Sequence, residues 1–271
     1  MTTSYLDRGE GRIAYEVVGS GPLVVCLHGM GDLRSTYRFT VPALVEAGYR
    51  VATMDLRGHG DSDDGFGAYD DVAAGRDLLA LIGELSAGEN GGGPALVLGN
   101  SMGAGAAVWA TAEEPAKISG LVLIGPFVRN PKQNPLVTLG FRLAFLRPWG
   151  PAVLRAYLNK AYPGRGPDAD HVARIFASLK RGRHWRSFVA TTRTTHAPAE
   201  ARLDPRVPTL VVMGTKDPDW PDPTAEARFV ADALRAELLL VPGAGHYPMA
   251  EFPEVVNPAV VAFAGKATVG A

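Results

Sequence analysis

Ala95-Leu96-Val97-Leu98-Gly99-Asn100-Ser101-Met102-Gly103-Ala104-Gly105-Ala106-Ala107 is the stretch from which the architecture can be read. Residues Ala95–Leu98 are apolar at every position, as a strand covered on both faces must be. A G-x-S-x-G pentapeptide follows, and the Ala-rich run behind it predicts a helix over Met102–Glu113. A strand handed to a helix through one serine needs a sharp turn with strained backbone at that serine. The residues two before and two after it crowd each other, so both must lack a side chain, and Gly99 and Gly103 stand there. Such a turn exposes the Ser101 hydroxyl beside a helix N-terminus, where developing negative charge is favoured.

The pattern repeats outward along the chain. Short β-branched, apolar runs lie at Arg12–Val18, Leu23–Leu27, Arg50–Met54, Leu121–Ile124, Thr209–Met213 and Glu237–Val241. Helical spacing of apolar residues predicts helices over Ser35–Ala47, Tyr69–Ser86, Pro223–Arg235 and Glu251–Ala264. Strands alternating with helices imply an α/β sheet joined by right-handed crossovers. Glu89-Asn90-Gly91-Gly92-Gly93-Pro94 reads as a loop. Residues 129–203 break the alternation, with no convincing strand and with helix formers over Phe141–Leu146, Pro151–Lys160 and Ala169–Lys180. They carry 14 Lys and Arg against 3 Asp and Glu, so the remainder is acidic although the whole chain has a net charge of −1. We read them as a helical insertion over one end of the sheet.

Three further features follow predicted strands. Leu27-His28-Gly29-Met30-Gly31 succeeds Leu23–Cys26, and a tight turn there can present the Met30 N–H to a reacting carbonyl. With the Met102 N–H it would form an oxyanion hole. His28 is expected to be a structural hydrogen-bonder beneath that turn. Gly214-Thr215-Lys216-Asp217 places a carboxylate after Thr209–Met213, and Gly243-Ala244-Gly245-His246 places an imidazole on a glycine-rich loop after Glu237–Val241. A serine hydroxyl is a poor nucleophile at neutral pH. A neutral imidazole can take its proton during attack and return it to the leaving group, while a carboxylate fixes the imidazole's tautomer. Ser101, Asp217 and His246 occur in the order Ser…Asp…His of one known architecture. Asp219 and Asp222 crowd the same loop as Asp217, so Asp219 is the alternative acid.

On His28-Gly29, Arg57-Gly58-His59-Gly60-Asp61-Ser62, Gly99–Gly103, Gly214–Asp217 and Gly243–His246, the chain resembles the α/β-hydrolase family from Arg12 to about Ala264. The resemblance implies a mostly parallel eight-stranded sheet with flanking helices, a core of residues 1–128 and 204–271, and a cap inserted over 129–203. The family's G-x-x-D spacing selects Asp217. Its R-G-x-G-x-S loop is structural, so His59 and Asp61 are not expected to be catalytic. No cofactor is implied. Ser101 in the nucleophile position argues against the dehalogenase and epoxide-hydrolase branches, which place Asp there. The Ser-Met-Gly stretch also resembles cofactor-free haloperoxidases.

The composition sets the bounds. The 271 residues are 46% hydrophobic and 20% charged, which fits a globular chain with a sizeable core. Near-neutral charge offers no global pull on nucleic acid. One cysteine, Cys26, rules out an internal disulfide and a cysteine-rich zinc site. The N-terminus lacks the pattern of a secretory signal, the most apolar stretch is broken by glycines, and a cytoplasmic protein without membrane contact is expected. His171, His184 and His196 lack metal-site spacing, and Gly99–Gly105 matches no nucleotide loop. The expected partner is a small ester, lactone or thioester, with the protein a monomer or homodimer. The leading expectation is a serine hydrolase of a small to medium carboxylic ester or lactone acting through an acyl-enzyme. The alternatives are a ligand receptor or signalling protein with slow turnover, and a thioesterase or C–C hydrolase of a secondary-metabolite pathway. The basic run Lys180–Arg186 is either a solvated helix end or a steering patch for acidic substrates.

Overall fold

The computed structural model of the chain describes residues 2–87, 93–131, 135–204 and 206–269. In chain order the elements are β1 (Ser4–Asp7), β2 (Arg12–Val18), β3 (Leu23–Leu27), α1 (Thr40–Glu46), β4 (Arg50–Met54), α2 (Asp71–Ser86), β5 (Ala95–Asn100), α3 (Met102–Glu113) and β6 (Ile118–Ile124). Then come five helices, α4 (Pro135–Ala144), α5 (Gly150–Ala161), α6 (Ala169–Leu179), α7 (His184–Thr191) and α8 (Ala197–Glu200). The chain closes with β7 (Thr209–Gly214), α9 (Pro223–Leu234), β8 (Glu237–Val241), α10 (Pro248–Glu251) and α11 (Pro253–Val269).

The eight strands form one sheet in the order β1-β2-β4-β3-β5-β6-β7-β8. The pairs β1–β2 and β2–β4 are antiparallel, and all others are parallel. The eight-stranded, mostly parallel α/β sheet expected from the sequence is thus present.

Side chains alternate across each strand, so one apolar run feeds two layers. Val25, Leu27, Val97, Leu123 and Val211 pack with Leu78, Ala107 and Val230 of α2, α3 and α9. Val24, Cys26, Leu96, Leu98, Val122 and Val212 pack on the other face with Leu44, Val256, Val260 and Phe263 of α1 and α11. A fully buried Leu or Val is worth roughly 1.5–3 kcal/mol relative to exposure, so these layers supply the main drive for folding. Cys26 is fully buried there, and burial pushes its thiol pKa up.

Helices α4–α7 build a third apolar cluster, in which Phe145, Leu154, Leu158, Ile175, Leu179, Trp185 and Phe188 pack with Leu33. No described helix is long and apolar enough to cross a membrane. The glycine-rich stretch Glu89–Pro94 falls mostly outside the described residues.

Several boundaries differ from the sequence reading. β1 was not foreseen because only Leu6 of its four residues is buried. It pairs with β2 across a short turn containing Gly9 (φ 78°). The helix expected over Ser35–Ala47 is a 3-10 turn at Arg34–Tyr37 followed by α1. Tyr37 is held by its hydroxyl, which donates to the Leu27 carbonyl at 2.7 Å, so that turn follows the sheet rather than a helix axis. The helix expected over Glu251–Ala264 splits at Pro253, which lacks an N–H and starts α11. Within 129–203 the helices also extend to α7 and α8, which apolar spacing alone had not marked.

Candidate active site

Ser101 sits between the central strand β5 and α3 with φ 55° and ψ −122°. Arg235 is the only other non-glycine among the described residues with positive φ. A β-carbon on Gly99 would stand 2.5 Å from the Gly103 carbonyl oxygen, and one on Gly103 would stand 2.7 Å from the Leu27 oxygen. The first distance is the crowding that the pentapeptide implied, and the second shows Gly103 pressed against the end of β3. The turn is held by the Ser101 N–H on the Ile124 carbonyl (3.0 Å) and the Phe127 N–H on the Ser101 carbonyl (3.2 Å).

The loop after β3 packs directly on this turn. A β-carbon on Gly29 would lie 2.7 Å from Ser101 Cβ and 3.2 Å from its Oγ. Neither the Met30 nor the Met102 backbone N–H donates a hydrogen bond among the described residues. Met102 opens α3, where the first N–H groups have no partner within the helix. Two unspent donors therefore flank the serine.

His28 lies beneath the loop, as expected. Its Nδ1 is 2.7 Å from the Gly29 oxygen, and its Nε2 accepts from the Leu56 N–H at 3.0 Å. Burial pushes its pKa down to about 4. His59 accepts from the Gly31 N–H at 3.0 Å, and burial pushes it down to about 3. Asp61 pairs with Arg34 and Arg181. The Arg57–Ser62 loop wraps the buried Asp55: the Asp61 N–H donates to it at 3.0 Å, and the Ser62 hydroxyl donates to its carbonyl at 2.8 Å.

Asp217 and His246 come together from the ends of β7 and β8. His246 Nδ1 lies 2.8 Å from Asp217 Oδ2, and both residues are buried. A carboxylate on Nδ1 keeps the proton there and leaves Nε2 as the basic nitrogen. Asp219 also reaches the ring, its Oδ2 3.2 Å from Nδ1. Burial alone would lower the His246 pKa, but Asp217 and Asp219 outweigh it and push it up to about 9.

The serine turn and the histidine loop share contacts. Asn100 Nδ2 donates both to the Ile124 carbonyl (3.0 Å) and to the His246 carbonyl (3.3 Å). The Phe127 ring stands edge-on to the His246 ring at 6.0 Å and tilted against Trp220 at 4.9 Å. The Ser101 hydroxyl makes no hydrogen bond among the described residues. Bonds of this kind commonly tighten only when substrate is bound.

Asp217, Asp219 and His246 bring ligand-type atoms within 4.8 Å of one another. Tetrahedral zinc ligands stand about 3.4 Å apart. The 2.8 Å between Nδ1 and Asp217 Oδ2 is a shared proton's spacing instead. Two of the histidines in residues 129–203 pair with acids outside that segment: His171 Nε2 lies 2.7 Å from Asp32, and His196 Nδ1 lies 2.8 Å from Asp71. A groove of about 520 Å³ opens between the antiparallel edge of the sheet and α6, lined by Glu16, Arg34, Asp55, Asp61, Arg174 and Arg181 among others. It includes none of Ser101, Asp217 and His246, and most of its guanidinium charge is paired with acids.

The sequence reading missed what holds Asp219. Tyr157 of α5 donates its hydroxyl to Asp219 Oδ2 at 2.8 Å. Only the crowding of Asp217, Asp219 and Asp222 hinted that the loop had more than one carboxylate to place.

The family model described as the alpha/beta hydrolase family matches residues 24–259. A 2-hydroxy-6-oxononadienedioate/2-hydroxy-6-oxononatrienedioate hydrolase of Paraburkholderia xenovorans is 30% identical, over 94% of this chain and 91% of its own. Among solved structures, a bromoperoxidase from Bacillus anthracis superposes with a TM-score of 0.83 at 20% identity, covering 97% of this chain and 100% of that one. An esterase from Exiguobacterium antarcticum does so with a TM-score of 0.82 at 21% identity, covering 97% and 100%. At such identities these two structures speak for the fold.

Proposed function

The chain belongs to the alpha/beta hydrolase family, and from that premise we propose that it is a serine hydrolase of a small to medium carboxylic ester or lactone. What carries the reading is the strained Ser101 turn beside two unspent backbone donors. Backbone strain of this kind costs of order 1–3 kcal/mol and persists where the surrounding structure enforces it, often at a functional site.

In the proposed reaction His246 Nε2 removes the Ser101 proton as Oγ attacks the carbonyl carbon. The carbonyl oxygen becomes an oxyanion and receives the Met30 and Met102 N–H groups. Asp217 stabilises the resulting imidazolium through Nδ1. His246 then passes the proton to the departing alcohol, leaving an acyl group on Ser101. Water, activated by the same imidazole, releases the acid and restores the serine.

Residues 129–203 are proposed to act as the cap, with residues 1–128 and 204–271 as the catalytic core. The apolar cluster that α4–α7 build largely among themselves supports this division. Ser101 is only 5% exposed, and substrate is proposed to reach it beneath that cap.

A second reading, C–C bond hydrolysis, draws on the named activity of the 30% identical relative. The deciding experiment is labelling by a fluorophosphonate together with turnover of p-nitrophenyl esters of graded chain length. Labelling at Ser101 that is lost in Ser101→Ala and His246→Ala, with a product burst followed by steady turnover, is expected. Labelling without ester turnover would favour the second reading. Stoichiometric release that stops would favour a receptor, and absence of labelling would overturn the serine mechanism.

A further inference from the structure

Helix α5 touches the histidine loop at one point and, one turn away, the carboxylate loop after β7. The His246 backbone N–H donates to the Ala161 carbonyl at 3.0 Å. Four residues earlier on the same helix face, Tyr157 donates its hydroxyl to Asp219 Oδ2. That oxygen lies 3.2 Å from His246 Nδ1. The insertion therefore holds both the backbone of His246 and one of the two carboxylates on its ring. Nearby, Tyr162 stacks on Tyr247 at 4.6 Å, and Glu251 accepts from the N–H groups of Gly164 (2.7 Å) and Gly245 (2.6 Å), so this junction is packed as well as hydrogen-bonded.

Asp219 is not redundant with Asp217. Asp217 accepts the hydrogen bond from Nδ1 and, through its other oxygen, the Asp219 backbone N–H at 3.0 Å. Asp219 contributes a second negative charge at short range. We propose that Asp219, held by Tyr157, is a positioning residue that acts as a second counter-charge to the His246 imidazolium, so that the insertion sets the basicity of the catalytic base. The proposal rests on the reading of His246 as general base.

The charges around the pair support it. Asp219 faces His246, Asp217, Tyr157 and Lys160, and His246 also feels Asp32. Burial and the neighbouring Asp217 raise the Asp219 pKa, while His246 and the Tyr157 hydroxyl pull it back. A carboxylate in that balance ionises most readily when the imidazole beside it is charged. Its stabilisation is therefore largest in the transition state, where differential binding accelerates the reaction.

The test needs no substrate. The imidazole signals of isotope-labelled protein are titrated by NMR, with His246 assigned from the spectrum of His246→Gln. Asp219→Asn is expected to weaken proton binding at His246 about tenfold, one pKa unit for a lost charge at this distance. Tyr157→Phe, an almost isosteric change, is expected to shift it in the same direction by less. The double variant is expected to match Asp219→Asn, because Tyr157 acts through that carboxylate. In ester turnover the acid limb of kcat/KM should move down with the titration. An unchanged His246 titration in Asp219→Asn would overturn the proposal, and should that variant not fold, an unchanged titration in Tyr157→Phe would do so alone. A shifted titration in a protein that turns over no ester would uphold the pair and count against the ester-hydrolase reading instead.

Discussion

Arg34 and Asp55 are joined twice. The Arg34 backbone N–H donates to Asp55 Oδ1 at 2.8 Å, and its guanidinium Nη1 meets Oδ2. Asp55 is fully buried at the end of β4, and burial raises its pKa while Arg34 opposes that rise. Arg34→Met keeps the backbone bond but removes the counter-charge. Breaking a buried pair from one side typically costs about 3–5 kcal/mol. Urea unfolding should show a loss of that size with an unchanged slope.

Gly99→Ala should be more disruptive than an ordinary Gly→Ala change in a strand. The added methyl would meet the Gly103 oxygen at 2.5 Å and Ala104 N at 2.7 Å, all backbone that cannot step aside. A folded variant would have to open the Ser101 turn. Fluorophosphonate labelling should therefore drop more steeply than thermal stability.

Asp217→Asn should reduce kcat by about 10⁴, the size seen when a triad carboxylate becomes an amide and the imidazole takes the wrong tautomer. Asp219→Asn should leave most of that activity. If instead Asp219→Asn proves the more damaging, Asp219 is the orienting acid. Steady-state kinetics on one p-nitrophenyl ester compares the two.

The pH dependence follows from the two carboxylates. The His246 pKa is raised above its ordinary 6.5, to about 9, and the base works only when neutral. So kcat/KM should climb with pH along a limb lying above 6.5. The stability contribution has the opposite sense. The protonated imidazole is favoured by folding, so its contribution is complete below about 6.5 and disappears as pH rises through about 9. Unfolding measured from pH 6 to 10 should show that decline, and His246→Gln should flatten it.

Salt should affect neutral and acidic esters alike. In the basic run Lys180–Arg186, Arg181 pairs with Asp61 and Arg183 faces Asp64. Two of the run's four Lys and Arg are thus neutralised, and exposed charges are screened over about 10 Å at 0.1 M salt. A steep fall of kcat/KM with ionic strength for a carboxylate-bearing ester alone would restore the steering idea.

The sheet was legible because its strands are covered. Residues such as Val24–Leu27 and Leu121–Ile124 must be apolar on both sides, and that pattern survives without knowledge of the neighbours. β1 was not, because a hairpin edge buries one residue in four. The Gly99–Gly103 turn could be read because its steric demand is local. The choice of Asp217 over Asp219 came only through the family's G-x-x-D spacing, because its physical basis is not local. It depends on which oxygen lies nearer one nitrogen, and on a tyrosine 62 residues away along the chain. Nor could the pairing of His171 with Asp32 be seen, since it arises only where α6 docks against the loop after β3.

Cys26 is the chain's only thiol, and it is sealed in mid-sheet. Maleimide dyes should leave the native protein unmarked. A cysteine introduced on the solvent side of α5, at Arg155 for example, would then become a unique attachment point, and a probe placed there could report on the surroundings of that helix without any background to subtract.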